Sequence, residues 1–246
     1  MEKNFLKREE EKFLLGPRAR WKDFKYTLSV VGQFIKGFRT LHFVGPSITV
    51  FGSARFTEEH TYYTIAKELS GKVSKLGFTI VTGGGPGIME AANRGAKEAG
   101  GISIGCNIIL PKEQYVNPYV DKFVNIEYFF VRKELLRKYS FAFIVMPGGF
   151  GTLDEFFETV TLIETKKIKN FPVVVMGIDY HKNLIEHLNN MVLNKTISKD
   201  DLTLILFTDS IDEAVDHIEK YAAINIKPKT TQKPLWILGE EKVVEK

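Results

Sequence analysis

The sequence predicts an α/β fold: a parallel sheet with helices on both faces, preceded by a helical extension. Three observations lead there. Seven short runs, at 48–51, 78–82, 102–109, 122–126, 141–146, 173–176 and 204–207, are largely apolar. Strands buried on both faces read this way, whereas strands with one wet face alternate. Between the runs, apolar residues recur at three- or four-residue spacing, the period of an amphipathic helix. Two glycine clusters, finally, sit where an apolar run gives way to a helical pattern.

The elements follow in order. Residues 1–45 read as a helical extension. Positions 2–15 are densely charged and suit a solvated helix, and Gly16-Pro17 breaks it. From Asp23 onward Phe24, Leu28, Val31, Ile35, Phe38 and Leu41 make one apolar stripe. Such a stripe is too apolar to be left in water. It is expected to pack on the main domain, the plainer reading, or on a partner subunit. The main domain spans 46–226 and opens at Gly45-Pro46. One helical stripe carries Tyr62, Ile65, Leu69, Val73 and Leu76. A second carries Leu153, Phe156, Phe157, Val160 and Ile163, and a third carries Leu184, Ile185, Leu188, Met191 and Val192. Residues 227–246 turn Lys-, Pro- and Thr-rich, then charged, and read as a tail.

Composition narrows the functional classes. The 246 residues are 44% hydrophobic and 26% charged, enough for a core without staples. The single cysteine, Cys106, excludes an intrachain disulfide and thiolate-rich metal clusters. It lies inside an apolar run and reads as core. The five histidines show no paired-ligand spacing, so no metal is expected. The charged N-terminus lacks the apolar segment of a secretory signal, and no apolar run approaches a membrane span. The expected location is cytoplasmic. The net charge of +4 is spread along the chain without a basic stripe, which disfavours nucleic acid as a partner.

In open parallel sheets, ligands bind beyond the carboxyl ends of the strands. The two glycine clusters stand there: Thr82-Gly83-Gly84-Gly85-Pro86-Gly87, and Pro147-Gly148-Gly149-Phe150-Gly151-Thr152. Each precedes a helix, expected to start near Ile88 and near Leu153 respectively. Glycines let backbone approach a ligand, and the first N–H groups of the helix point at an anion. A tight turn explains one such cluster; two at one end of one sheet suggest a phosphate and sugar held between them. Neither has dinucleotide-fold or P-loop spacing. Gly84, Gly85, Gly87, Gly148, Gly149, Phe150, Gly151 and Thr152 are therefore candidate substrate contacts.

Charged residues stand beside these loops. Val131-Arg132-Lys133-Glu134 opens a helix with two cations, which oppose the helix dipole unless an anion is present. Thr152-Leu153-Asp154-Glu155 has the form of a capping box, which explains Glu155 structurally. Yet Glu155 also stands at the mouth of the glycine loop. Near a helix N-terminus its carboxylate is expected to stay ionised at neutral pH. That form suits stabilising a cationic sugar or orienting a water better than it suits donating a proton.

Three of these segments together resemble the LOG ("Lonely Guy") family, the cytokinin riboside 5′-monophosphate phosphoribohydrolases. They are Gly83-Gly84-Gly85-Pro86-Gly87-Ile88-Met89-Glu90-Ala91, the Arg132-Lys133 pair, and Pro147-Gly148-Gly149-Phe150-Gly151-Thr152-Leu153-Asp154-Glu155. Bacterial members are often labelled "possible lysine decarboxylase". The resemblance covers roughly residues 46–220. It implies a Rossmann-like domain, catalytic roles for Arg132 and Glu155, phosphate binding at 148–152, and substrate contacts from Lys133 and Asp154. It also implies a homodimer with sites near the subunit interface. The chain departs from compact members in its two extensions, in Phe129-Phe130-Val131 before the arginine, and in Asp154 where glutamate is usual. The expected reaction is hydrolysis of the N-glycosidic bond of a purine nucleoside 5′-monophosphate, with AMP and N6-substituted forms both open. No cofactor is expected, because no lysine stands out as a Schiff-base former for pyridoxal phosphate. The competing reading is a non-catalytic carrier of a nucleotide or pterin cofactor.

Overall fold

All seven apolar runs become strands of one sheet, and every neighbouring pair in it is parallel. The structure, a computed structural model, describes residues 19–109, 115–225, 234–235 and 239–240. The charged segment at 2–15 and most of the 227–246 tail lie outside the described residues.

The chain enters through α1 (Arg20–Leu41), then alternates β1 (Ser47–Phe51), α2 (Thr61–Lys75), β2 (Thr79–Thr82), α3 (Ile88–Glu98) and β3 (Ser103–Ile108). It continues through β4 (Lys122–Ile126), α4 (Phe129–Tyr139), β5 (Ser140–Val145) and α5 (Phe150–Glu164). Last come β6 (Val173–Met176), α6 (Lys182–Leu193), a 3₁₀ turn (Lys199–Leu202), β7 (Ile205–Thr208) and α7 (Ile211–Asn225).

The strand order is β4-β3-β2-β1-β5-β6-β7. The chain builds outward from β1 to β4, then returns to lay β5 on the other side of β1. That reversal is a topological switch point, where the loops after β1 and β5 diverge and leave a crevice. Along each strand successive side chains face opposite layers. Ile48, Val50, Ile80, Ile144 and Val174 face α2, α3 and α7. Val81, Phe143, Val145, Val173 and Val175 face α4, α5, α6 and α1. The core is thus two apolar layers divided by the sheet, which explains why these strands read as unbroken apolar runs.

The extension helix forms as expected, but only the C-terminal end of the stripe on which it was read provides its packing face. Phe24, Leu28, Val31 and Ile35 are exposed. Phe38 and Leu41 of that stripe lie against the core, joined by Val30 and Phe34 from outside it. The helix is held on β4 and α4 by Lys36 Nζ donating to the Asn125 carbonyl at 2.8 Å and by Tyr128 stacked edge-on against Tyr26.

Candidate active site

Both glycine clusters lie at the carboxyl end of the sheet, after β2 and after β5. The first bends at Gly87, where φ is +69° and an added Cβ would sit 2.4 Å from the Ser53 carbonyl oxygen. A side chain there would be both strained and obstructed. The close approach lets Ile88 N–H donate to that carbonyl at 3.0 Å, joining the loop after β2 to the loop after β1. Ser53 N–H in turn donates to the Pro147 carbonyl at 3.0 Å, so the three loops around the switch point form one continuous rim. Tyr180 adds a hydroxyl bond to the Gly148 carbonyl at 2.7 Å.

Behind the first loop is a buried polar network that sequence reading missed. Asn117 donates to the Gly85 carbonyl at 2.9 Å and to Asn93 Oδ1 at 3.0 Å. Thr82 Oγ1 donates to the same Asn93 oxygen and accepts from Gly84 N–H. Asn93 donates to Ser103. Each of these side chains is almost wholly buried, so an unmatched partner would cost its full desolvation. The only advance signal was the turn-forming Asn117-Pro118 pair. Asn93, in mid-helix, gave none.

The second cluster differs from its expected form. α5 begins at Phe150, with Gly149 as N-cap and no side-chain cap. Leu153 is therefore not the first helical residue and Thr152 is not a cap. Thr152 is buried against Gly148, and Glu155 lies in the second turn with its side chain turned inward. The capping-box explanation of Glu155 fails. At Gly149 and Gly151 an added Cβ would meet nothing within 4 Å among the described residues, so this stretch of backbone is open on their side. Phe150 is 94% exposed beside it.

Arg132, in the first turn of α4, reaches into the same place. Its Nε donates to the Cys106 carbonyl at the end of β3 at 2.9 Å. Its guanidinium also lies so close to Gly83 that a Cβ there would be 2.7 Å from Nη2. The first glycine loop and the arginine thus fit only because residue 83 has no side chain. Glu155 is 5% exposed. Burial pushes its carboxyl up to about 7, against the pull of the nearby Arg132 and Lys133 charges, with Glu158 and Asp154 adding to the rise. The expected fully ionised carboxylate is corrected accordingly: desolvation outweighs the helix N-terminus, and at neutral pH both forms are populated. Cys106 is buried and its thiol is pushed up to about 12 by that burial, so it is an inert core residue.

Lys133 and Asp154 meet each other. Lys133 Nζ lies 3.0 Å from Asp154 and also pairs with Glu158, tying α4 to α5. Burial works against the Lys133 charge, but its bonds to Glu158 and Asp154 hold its pKa above the ordinary lysine value. Among the described residues no group of three or more His, Cys, Asp or Glu is arranged to hold a metal ion. No described helix is long and apolar enough to cross a membrane.

A seven-stranded parallel sheet with helices on both faces and glycine loops at its switch point defines a Rossmann-like α/β protein. The model of the family described as "Possible lysine decarboxylase" matches residues 89–218, more than half of the chain. The chain belongs to this family, the LOG family. The cytokinin riboside 5′-monophosphate phosphoribohydrolase LOG3 of Arabidopsis thaliana is 27% identical over 179 residues, covering 71% of this chain and 82% of that protein. An uncharacterized protein of Archaeoglobus fulgidus is 30% identical over 145 residues, covering 58% of this chain and 91% of its own. Among solved structures, the molybdenum cofactor binding protein of Rippkaea orientalis matches with a TM-score of 0.54 and 24% identity. It covers 72% of this chain and 97% of that one, and shares the fold. The Moco Carrier Protein of Chlamydomonas reinhardtii matches with a TM-score of 0.52 and 25% identity, over 73% of this chain and 98% of that one.

Proposed function

We propose that the protein hydrolyses the N-glycosidic bond of a purine nucleoside 5′-monophosphate, giving the free base and ribose 5-phosphate. One observation carries the reading: a buried carboxylate, Glu155, stands beside an anchored guanidinium, Arg132, under backbone that opens to solvent at Gly149 and Gly151. A site built only to hold an anion gains nothing from a buried carboxylate, which repels the ligand. The carboxylate helps where positive charge develops, as on a ribose losing its base. The relatives named as phosphoribohydrolases support the same reading.

In this mechanism the phosphate lies against the α5 N-terminus and the glycine backbone. Arg132 binds the nucleotide, at the phosphate or beside the leaving base. The bond between the sugar's anomeric carbon and the base nitrogen breaks, and its electron pair leaves with the base. Glu155 in its ionised form faces the oxocarbenium-like carbon and takes a proton from the attacking water, whose oxygen bonds to that carbon; the proton then goes to the departed base, which leaves neutral, and Glu155 is ionised again. A carboxyl group titrating near 7 is poised for that exchange at neutral pH. Lys133, charged and paired with two carboxylates, lacks the neutral amine that Schiff-base chemistry requires.

The likeness to a Moco carrier supports one alternative, a protein that binds its ligand without cutting it. A screen of nucleoside monophosphates for release of free base, followed by ultraviolet absorbance, separates the two. Cleavage of a 5′-monophosphate far faster than of its nucleoside is expected. Equal turnover of adenosine and AMP would remove the phosphate from the reading, and tight binding with no base released would leave the carrier.

A further inference from the structure

A phenylalanine heads each of the two helices that flank the candidate site. Phe129 is the first residue of α4 and Phe150 the first of α5. Their helices turn them in different directions. Residues three and four apart share a helix face, so Phe129 stands on the face of Arg132 and Lys133. Arg132 reaches the first glycine loop, and Lys133 pairs across to Asp154 and Glu158 on α5. Phe129 falls between those two directions and one turn nearer the carboxyl end of the sheet, the way helical side chains tilt. It therefore faces α5, whose backbone at Gly149 and Gly151 is open among the described residues. The residues beside it turn away: Tyr128 and Phe130 stack on each other, and Tyr128 packs edge-on against Tyr26 of α1. Phe150 points elsewhere. Thr152, Phe156, Thr159 and Ile163 mark the buried side of α5, and Phe150 falls on the opposite side of that helix.

A single exposed phenylalanine is ordinary on a protein surface. Phe129, 54% exposed, is set apart by what lies next to it. With the phosphate on the α5 N-terminus and the anomeric carbon at Glu155, the base of a nucleotide projects past Arg132 into the gap that Phe129 borders. Polar side chains around that gap are already committed. Lys133 is held by two carboxylates, Asn117 gives its amide hydrogens to Gly85 and Asn93, and Tyr180 donates to Gly148. The edge of a base meets no spare donor in these three, whereas its face meets a ring. Stacking of a base on an aromatic side chain is tolerant of which base it is, because every base has a π-face.

We propose that Phe129 stacks on the leaving base, so that the protein selects its substrate by the 5′-phosphate and the face of a purine rather than by the groups on the purine's edge. This rests on the nucleotide reading given above and extends it to the breadth of substrates. The 5′-monophosphates of adenosine, inosine and guanosine should then bind within about a hundredfold of one another. A site that read the edge by hydrogen bonds would separate them by about 10⁴-fold.

Titration calorimetry on the Glu155→Gln protein, which keeps the side-chain shape while slowing turnover, tests this with AMP and ribose 5-phosphate as the two probes. Adding Phe129→Ala should weaken AMP about tenfold or more and leave ribose 5-phosphate unchanged. Phe129→Leu, apolar without a ring, should behave like Phe129→Ala, and Phe129→Trp should restore AMP binding. Phe150→Ala should cost less than Phe129→Ala. A smaller loss in Phe129→Ala, equal losses for both probes, full binding in Phe129→Leu, a larger loss in Phe150→Ala, or a wider spread among the three purines overturns the proposal. So does a change of oligomeric state in Phe129→Ala with AMP affinity kept, which would assign the ring to a subunit contact. The two readings fail differently. AMP that binds but ignores Phe129 removes only the stacking, whereas a Glu155→Gln protein that binds no purine monophosphate removes the nucleotide reading and the stacking with it.

Discussion

Helices α5 and α7 are both 15 residues long and both follow a strand's carboxyl end, yet they begin in opposite ways. At α7, after edge strand β7, every device for closing a helix N-terminus is in place. Ser210 Oγ accepts from Glu213 N–H at 3.3 Å, Thr208 Oγ1 accepts from Ser210 N–H at 3.0 Å, and Asp212 and Glu213 stand in the first turn. At α5, after central strand β5, the cap residue is glycine and no acid stands in the first turn. Among the described residues nothing lies within 4 Å of a Cβ placed at Gly149. A glycine at the cap position forgoes a few tenths of a kcal/mol that a Ser or Asp cap would supply, on the order of 0.3 kcal/mol. The same sheet closes a helix at its edge and leaves one open at its switch point, which is where an anion would complete it.

The largest expected effect tests whether the open start serves chemistry. Glu155→Gln keeps the shape of the side chain and removes its charge. Turnover on the best monophosphate should fall about a hundredfold or more, while the fold persists. The pH dependence sharpens this. The folded-state pKa of about 7 lies above the ordinary carboxyl value of 4.5. The folded protein therefore binds this proton more tightly than the unfolded chain does. Stability from Glu155 is fully present below about 4.5 and is lost as pH rises to about 7. Above that, Glu155→Gln should be the more stable protein, by up to about 3 kcal/mol, with the gap closing in acid. Wild-type turnover should climb through pH 7 as the base form appears. Thermal melts of both proteins from pH 4.5 to 8, beside the rate profile, check both signs. Near-normal turnover in Glu155→Gln would end the catalytic assignment.

Next in size is the attempt to make α5 resemble α7. Gly149 has extended backbone, φ −95° and ψ −155°, and room for a side chain. Gly149→Asp should cap the helix and raise stability by about 0.5–1 kcal/mol. Its carboxylate would occupy the anion position, so KM for the monophosphate should rise about tenfold or more. Improved stability with unchanged KM would show that the phosphate binds elsewhere.

The sheet was legible because burial on both faces writes itself into every strand residue. The expected strands at 122–126 and 173–176 coincide with β4 and β6, and the others differ only at their ends. The start of α5 was not legible. Gly149 and Gly151 have no side chain with which to show a helical period, so the cluster read as loop. The period therefore sets the helix start three residues late, which puts Glu155 at a capping position. Its burial, and with it the raised pKa, depends on how α4 and α5 meet, which spacing alone does not encode. Helix α1 failed for a different reason. It carries two apolar stripes, and periodicity cannot say which one the chain's own core will take. The Asn93–Asn117 network is a long-range meeting of single polar residues, and only Asn117-Pro118 left a local trace.

The smallest effect belongs to the closed helix. Ser210→Ala removes the hydroxyl that accepts from Glu213 N–H. Replacing such a cap by alanine typically costs about 0.5–2 kcal/mol, and the 3.3 Å bond length puts Ser210 toward the lower end. Thr208 still donates to Glu213 Oε2 at 2.5 Å, and the first-turn acids still face the helix dipole. The loss should therefore be near 0.5 kcal/mol, read as a small drop in denaturation midpoint at unchanged slope. Turnover and KM should not move, because β7 and α7 lie two strands from the switch point. A variant that loses activity in step with stability would mean that the edge and the centre of the sheet are coupled. The contrast between a helix start kept for stability and one kept open for a ligand would then fail.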